Sequence, residues 1–373
     1  MKVCFVCGGF SANGGIGRVV SLLANELAKD DQYEIFLCSF YETESSIYYE
    51  IDSRCHLHEL FDNPVSMKHA LLLDHAVKKL VSYLIANRID IVIACGALYY
   101  PLAVISTRIC HILLVCWEHI SPSITGDYWF QGQSRVFGAK RSDCNVVLTK
   151  YALKIYNQRF PSASNWQIYN PVDPIALEGG IPYNITSHKI VSVGRLCYQK
   201  NFERLIEIAE AVFKRHPDWI WDIYGEGENH IRLESLIRQK GLIGKVQLCG
   251  QVNDLYARYS DYAFFVMTSR YEGFPMVLLE ASAHRLPMIS FDIPGPDEII
   301  NDGVNGFLCP TDSDEVMIDR ISYLIEIDSG RAAFSQASYN TAKEFDLSRI
   351  VEQWKKLFES AYKLKQYPKC LGK

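Results

Sequence analysis

Residues 2–40 read KVCFVCGGFSANGGIGRVVSLLANELAKDDQYEIFLCSF, and this stretch decides the fold class. Its first six residues form a short apolar run, which is typical of a strand buried in a parallel sheet. After a glycine-rich turn, apolar residues recur at helical spacing from Ile16 to Leu27. The apolar run YEIFLCSF then completes a β–α–β unit. We therefore predict an α/β fold with a parallel sheet.

The alternation of strands and helices continues along the chain and is interrupted once. Residues 169–174, YNPVDP, combine two prolines with polar turn residues, as a hinge does. The pattern restarts at residue 189 with the apolar run KIVSV. We predict two Rossmann-like, doubly wound domains that face each other across a cleft, over residues 1–170 and 171–346. An amphipathic helix over 347–367 is expected to pack back on the first domain.

Composition sets broad limits on function. The 373 residues are 49% hydrophobic and 22% charged, which suits a globular two-domain protein. A net charge of -5 without a basic cluster argues against nucleic-acid binding. Twelve scattered cysteines, mostly in apolar runs, are typical of reduced thiols in the cytosol. Because residues 2–8 hold too few apolar residues for an export signal, we expect a soluble cytoplasmic protein.

Residues 269–281, SRYEGFPMVLLEA, carry the most specific chemistry. They follow a predicted buried strand, turn at Gly273 and open a helix at Pro275, a residue favoured at the first helical position. The unpaired N–H groups of a helix N-terminus favour a phosphate or another anion. Glu272 and Glu280 lie near that end and could accept hydrogen bonds from sugar hydroxyls. A role in stabilising the helix dipole would suit Glu272, but not Glu280 within its apolar surroundings.

Residues 194–201, GRLCYQKN, join the first strand of the second domain to its first helix. Ligands bind at this position in α/β folds. Arg195 and Lys200, expected at a solvent-accessible strand end, could stabilise a diphosphate leaving group. The alternative is a pair of solvated surface cations.

Two further candidates lie in the first domain. The loop 13–18, NGGIGR, has repeated glycines that let a ligand approach the backbone, but it does not match the dinucleotide-binding pattern. Glu42 is a doubtful candidate for the acidic residue that this pattern requires. His119 follows the apolar run ILLVCW and could hydrogen-bond a sugar or titrate near neutral pH. A structural strand-end histidine is the alternative.

These stretches resemble the family-4 glycosyltransferases, which are retaining enzymes of the GT-B fold. Glu272 and Glu280 match the family's E-x7-E signature, and residues 194–201 resemble its G-R-L-x-x-x-K-N loop. The resemblance implies that Glu272 lies beside the transferred sugar and that Glu280 binds the nucleotide ribose. Catalytic roles are further implied for His119, Arg195 and Lys200. Donor contacts are implied for Gly15, Ile16, Gly17, Gly225, Gly250, Val252, Gly273, Phe274, Pro275 and Met276.

The implied activity is transfer of a hexosyl residue from a nucleoside diphosphate sugar, expected to be a UDP-sugar, to a glycan acceptor. Relatives in the family act in surface polysaccharide biosynthesis, which implies a lipid-linked acceptor. No D-x-D motif stands in a suitable context, so neither a metal nor a cofactor is expected. The alternatives are a nucleotide-sugar 2-epimerase of the same fold and a nicotinamide-dependent dehydrogenase. Predicted helices over 67–88 and 151–160 carry lysine and arginine beside apolar residues, so the inner face of an anionic plasma membrane is a further possible partner.

Overall fold

The computed structural model describes residues 1–11, 14–42, 48–61, 70–122, 129–178 and 182–366. It divides into two compact units. Unit 1 comprises Met1–Pro171 together with Leu347–Lys373, and unit 2 comprises Val172–Asp346. The helix that follows unit 2 in the chain thus belongs to unit 1.

Unit 1 contains a seven-stranded parallel sheet with the strand order β3-β2-β1-β4-β5-β6-β7. Its strands are β1 Lys2–Cys7, β2 Glu34–Tyr41, β3 His56–Phe61, β4 Ile91–Cys95, β5 Leu113–Glu118, β6 Cys144–Val147 and β7 Ser164–Gln167. Its helices are α1 Gly15–Leu27, α2 Ala70–Asn87, α3 Tyr100–Cys110, α4 Trp129–Ala139, α5 Lys150–Arg159 and α13 Leu347–Gln366.

The central strands of unit 1 are continuous apolar runs because helices cover both faces of the sheet. Every residue of β4 and β5 is buried. Helix α13 packs against α1 and β5. Its Trp354 ring lies 4.7 Å from the ring of Trp117 in β5, and both side chains are fully buried. This apolar contact fastens the C-terminal helix to the sheet of unit 1.

Unit 2 contains a six-stranded parallel sheet with the strand order β10-β9-β8-β11-β12-β13. Its strands are β8 Lys189–Val193, β9 Ile220–Tyr224, β10 Val246–Leu248, β11 Phe264–Met267, β12 Met288–Phe291 and β13 Gly306–Cys309. Its helices are α6 Pro174–Glu178, α7 Phe202–Arg215, α8 His230–Gln239, α9 Leu255–Arg258, α10 Met276–Ala283, α11 Asp314–Glu326 and α12 Asp328–Glu344. The two doubly wound parallel sheets confirm the predicted α/β fold class.

Amphipathic helices close the core of unit 2. Helix α7 buries Leu205, Ile206 and Val212 against the sheet, in one cluster with Trp221 and Phe264. All of the cysteines that can be placed in the structure are free thiols, and most are buried. Within the described ranges, no helix is both long enough and apolar enough to cross a bilayer.

Candidate functional site

Three loops meet backbone to backbone at the carboxyl ends of β8, β9 and β10. The Gly194 N–H donates to the Tyr224 carbonyl, and the Gly225 N–H donates to the Gly250 carbonyl, both at 2.9 Å. Gly225 has a φ of 134°, and a Cβ there would overlap the Gly194 carbonyl oxygen. The loops can pack this closely only because Gly225 has no side chain. Val252 follows Gly250 by two residues and is half-buried.

A part-buried ion pair joins the loop after β8 to the loop after β11. The Nζ of Lys200 lies 2.6 Å from Oε1 of Glu272, and the two side chains are 16% and 6% exposed. Gln199 donates from Nε2 to the Tyr271 carbonyl at 3.0 Å and to Oε2 of Glu272 at 3.4 Å. Lys200 was expected at a solvent-accessible strand end. Its side chain is only partly accessible, because the carboxylate of Glu272 holds the ammonium against the neighbouring loop.

Arg195 is the other predicted cation of this loop, and it is exposed. The carboxylate of Glu272 balances the charge of Lys200. Arg195 therefore adds a second, solvent-exposed cation at the strand ends.

Nearby, the Arg270 guanidinium lies 4.1 Å from the centre of the Tyr198 ring. The backbone N–H of Arg270 also donates to the Gln199 carbonyl at 2.8 Å. Both contacts reinforce the junction between the two loops.

Helix α10 begins at Met276, one residue later than expected, and Pro275 precedes it with an extended ψ of 103°. The physical reason is that Pro275 still belongs to the turn that leaves Gly273. Glu280 is 4% exposed and lies between buried Leu279 and Ala281. Glu280 is thus a buried carboxylate on a helix of apolar residues, as expected from its neighbours in the sequence.

The turn before α10 is packed on two sides. The Phe274 ring lies 5.5 Å from the Phe345 ring. On the other side, a Cβ at Gly295, whose φ is 109°, would lie 3.0 Å from the Gly273 carbonyl oxygen. The proline-rich segment around Gly295 therefore fits closely over Glu272 and Gly273.

The glycine loop of unit 1 leads into α1, whose first residue is Gly15. A Cβ at Gly15 would meet no described atom within 4 Å, whereas Gly17 is buried, with the Gly9 carbonyl oxygen 3.6 Å from its Cβ position. Ile16 is half-buried, and its Cδ1 lies 3.7 Å from the Cβ position of Gly96, at the end of β4. The loop is thus open at its start and packed against the neighbouring strand end. Residues 12 and 13 lie outside the described part of the chain.

Glu42 has a structural role in this loop. Its Oε2 accepts hydrogen bonds from the backbone N–H groups of Phe10 and Ser11, both at 2.8 Å. The carboxylate closes the loop after β1, so this geometry does not support the dehydrogenase alternative.

His119 follows the last residue of β5, and its ring lies 4.4 Å from the ring of Trp117. Burial lowers the pKa of the imidazole from 6.5 to about 3, so the ring is neutral at physiological pH. The expectation that His119 titrates near neutral pH is therefore wrong. Its Nε2 is buried and has no hydrogen-bond partner among the described residues. A buried polar atom of this kind is suited to a bound ligand.

Several residues around these sites carry no sequence motif. Glu118 and Arg135 form an ion pair at 2.6 Å beside His119. The Tyr262 hydroxyl donates to Oδ2 of the buried Asp222 at 2.8 Å and lies 2.8 Å from the Tyr224 hydroxyl. Glu118 and Gln199 could have been identified, because they adjoin His119 and Lys200 in the chain. The others are recognisable only once distant segments are brought together.

Over the described ranges, no three or more histidine, cysteine, aspartate or glutamate side chains are arranged to hold an ion. The independence from metal and cofactor expected from the sequence stays a prediction.

The two parallel doubly wound sheets, with their loops at the strand ends, define a GT-B glycosyltransferase. Residues 13–175 match the family model described as Glycosyltransferase Family 4, and residues 182–341 match the model described as Glycosyl transferases group 1. The chain belongs to the family-4 glycosyltransferases, as the resemblance of its signature implied.

Relatives of similar length support this assignment. An uncharacterized glycosyltransferase of Haemophilus influenzae is 26% identical over 95% of this chain and 99% of its own length. The amylovoran biosynthesis glycosyltransferase AmsD of Erwinia amylovora is 28% identical over 95% and 98%.

Solved structures show the same fold. TarM of S. aureus superposes with a TM-score of 0.80 and 17% identity over 96% of this chain and 99% of its own. HepE of Anabaena superposes with a TM-score of 0.79 and 18% identity, covering 96% of this chain and all of its own.

Proposed function

We propose that this enzyme transfers a hexosyl residue from a UDP-sugar to a glycan acceptor with retention of anomeric configuration. The observation that carries the proposal is the Lys200–Glu272 pair, which places a cation and a carboxylate together at the strand ends of unit 2. A nucleotide sugar presents both a diphosphate and sugar hydroxyls, so it matches this pairing. The TarM structure contains UDP and α-GlcNAc-glycerol, and the HepE structure contains UDP and glucose.

In unit 2, positive groups contact the diphosphate of the donor, and carboxylates contact its sugar and ribose hydroxyls. Arg195 and the N-terminus of α10 stabilise the negative charge that grows on the departing diphosphate. Glu272 accepts hydrogen bonds from the sugar hydroxyls, and Lys200 holds that carboxylate in place through their 2.6 Å ion pair. Glu280 accepts hydrogen bonds from the nucleotide ribose. The leaving diphosphate takes the proton of the acceptor hydroxyl on the same face of the sugar, so no protein nucleophile is needed.

Binding and product analysis test the proposal together. A thermal-shift screen against UDP-, GDP- and ADP-sugars is expected to raise the melting temperature most with a UDP-sugar, because a ligand of the native state stabilises it. NMR of the product is expected to show the anomeric configuration of the donor. Inverted product would refute retention. Donor consumed without any acceptor would favour the 2-epimerase instead.

We further propose that the acceptor is a lipid-linked glycan of a surface polysaccharide, which the enzyme meets at the cytoplasmic face of an anionic membrane. The relative AmsD is named for the biosynthesis of amylovoran, and another relative, from Staphylococcus aureus, for transfer of N-acetylglucosamine to poly(ribitol-phosphate). Helix α5 supports the membrane contact, since Lys150, Lys154 and Arg159 are all exposed.

Helix α2 offers fewer available cations than its sequence indicates. Lys78 pairs with Asp74 at 2.6 Å, and Lys79 donates to the Leu60 carbonyl at 2.7 Å. Residues 67–69 of the predicted helix lie outside the described part of the chain. The exposed side chains of α5 therefore carry the membrane proposal.

Vesicle flotation separates the membrane contact from the activity. We expect the protein to float with anionic vesicles at low salt and not to bind neutral vesicles. Added salt is expected to release it, because salt screens the charges. The triple variant Lys150→Gln/Lys154→Gln/Arg159→Gln is expected to float less. Wild-type protein that stays at the bottom of the gradient at low salt would point to a soluble acceptor.

A further inference from the structure

The strand end that carries His119 contains a buried ion pair. Glu118, the last residue of β5, accepts at Oε2 a hydrogen bond of 2.6 Å from Nε of Arg135 in helix α4. The two side chains are only 2% and 6% exposed. The Tyr156 hydroxyl in helix α5 lies 3.5 Å from the same carboxylate oxygen. One carboxylate thus joins a strand to two helices.

Stability does not explain a charged pair at this position. Removing two charges from water costs about as much as their attraction returns, and well-packed apolar residues are often as stable or more stable. What an apolar pair cannot do is accept a hydrogen bond. The second oxygen of Glu118, Oε1, accepts one of 3.0 Å from the backbone N–H of Ile120. The carboxylate therefore closes a short turn that runs from Glu118 to Ile120 and has His119 in its middle.

The imidazole of His119 is held by packing as well. One contact is with the Trp117 ring at 4.4 Å, and Trp117 in turn packs against Trp354 of α13 at 4.7 Å. Its Nε2 is buried without a hydrogen-bond partner in the part of the chain that the structure describes. The ring is thus restrained by an aromatic neighbour and by a closed turn, while one nitrogen keeps its bonding capacity.

We propose that Glu118 and Arg135 are positioning residues that hold the His119 imidazole in the orientation in which it hydrogen-bonds the donor sugar. Arg135 fixes one oxygen of Glu118, and this orients the other oxygen toward the N–H of Ile120. The proposal rests on the proposed glycosyl transfer, since it assigns the residues that prepare a sugar contact of that reaction.

Two double variants that differ in a single acceptor group test the proposal. Glu118→Leu/Arg135→Met removes both charges and the hydrogen bond to Ile120. Glu118→Gln/Arg135→Met removes both charges but keeps an oxygen for the same N–H. We expect kcat to fall about tenfold to a hundredfold in the leucine variant, because small displacements of a sugar-contacting group have effects of this order. We expect the glutamine variant to stay within about threefold of the wild type, with little change of the donor KM in either.

Two controls separate positioning from folding. The melting temperatures of both variants are compared with that of Asp30→Leu/Lys355→Met, which removes another ion pair of unit 1, at 2.8 Å, outside the strand end of His119. This control is expected to keep wild-type kcat. If the leucine variant does not fold, Glu118→Met/Arg135→Met against the glutamine variant gives the same comparison of acceptor groups, because the flexible methionine also removes the acceptor and leaves no unpaired charge.

A double-mutant cycle shows whether the effect of Glu118 on kcat depends on His119. If Glu118 acts through His119, adding His119→Ala to the leucine variant reduces kcat no further than His119→Ala alone. Three results would each overturn the positioning role. In the first, the kcat losses of the leucine variant and of His119→Ala multiply when the substitutions are combined. In the others, the leucine and glutamine variants have equal kcat, or His119→Ala is fully active. In all three cases, wild-type transfer in the same assay leaves the proposed function standing, whereas an inactive wild type would refute both.

Discussion

The ammonium of Lys200 lies 2.6 Å from a carboxylate oxygen of Glu272, although 72 residues separate them in the chain. Both side chains are largely buried, and each is the counter-charge of the other. This pair ties the loop after β8 to the turn that opens α10. It makes the two motifs of unit 2 a single site, and it determines how their substitution is expected to behave.

Lys200→Ala is expected to reduce both turnover and stability. The substitution leaves Glu272 buried without its cation, which costs about 3 kcal/mol of unfolding free energy, the lower end for a broken buried pair. Turnover is expected to fall roughly a hundredfold, as for loss of a preorganised charged group. Urea unfolding and steady-state kinetics measure the two effects. Lys214→Ala, which removes an exposed pair with Glu210 on α7, is the control and should change neither by much. An unaltered unfolding midpoint in Lys200→Ala would contradict the pairing.

Arg195→Ala is expected to separate activity from stability. Because Arg195 is exposed, its removal should leave the unfolding free energy within about 0.5 kcal/mol of the wild type. Turnover is expected to fall roughly a hundredfold, since the charge on the departing diphosphate loses its counter-charge. Arg232→Ala on α8 removes another exposed arginine and serves as the control. Near-normal turnover in Arg195→Ala would remove the diphosphate assignment.

Glu280→Gln is expected to act on donor binding. The ribose is bound equally in the ground and transition states, so the donor KM rises while kcat changes little. Glutamine keeps the shape of the buried side chain, removes its charge and replaces one acceptor oxygen with an N–H donor. Calorimetric titration with UDP and kinetics with the UDP-sugar give the two constants. A fall in kcat with unchanged UDP affinity is the result that the ribose role cannot accommodate.

Gly225→Ala is expected to disrupt the junction of the three strand-end loops. The new Cβ would overlap the Gly194 carbonyl oxygen, and the residue would be strained at its φ of 134°. We expect a loss of several kcal/mol in stability and of measurable UDP binding, because the loops must separate. Gly241→Ala is a matched control, since its φ is 68° and no described atom lies within 4 Å of its Cβ position. It is expected to cost only the backbone strain, about 1 kcal/mol. Equal losses in the two variants would argue against close packing at Gly225.

The neutral state of His119 predicts a particular pH dependence of stability. Its pKa of about 3 in the folded protein lies below the ordinary value of 6.5, so the unfolded chain binds the proton more readily between these two values. Stability therefore falls as the pH falls from 6.5 toward 3. His119→Gln should reduce this fall. Urea unfolding at pH 7 and pH 4.5 measures the difference. The same slope in wild type and His119→Gln would show that the imidazole is protonated in the fold.

The spacing of apolar residues predicted those strands and helices whose buried residues follow a regular pattern along the chain. The apolar runs of β1, β4 and β5 and the apolar face of α7 follow directly from their neighbours in the chain. Edge strands were harder to predict from the sequence, because such a strand has a neighbouring strand on one side only and is more exposed to solvent. Strand β3 reads HLHELF with three exposed residues, and β7 reads SNWQ with no fully buried residue. Neither carries the continuous apolar run that marks a central parallel strand.

By itself, the sequence of this protein determined its two doubly wound sheets, its family and the residue types at each strand end, because these depend on local spacing and motif. The tertiary structure alone decided which of those residues are paired and in what state of charge. Lys200 is paired with Glu272, Glu118 is held by Arg135, and burial lowers the pKa of His119. The physical reason is that burial and electrostatic interaction depend on distances between atoms, and folding brings together residues that the chain keeps far apart.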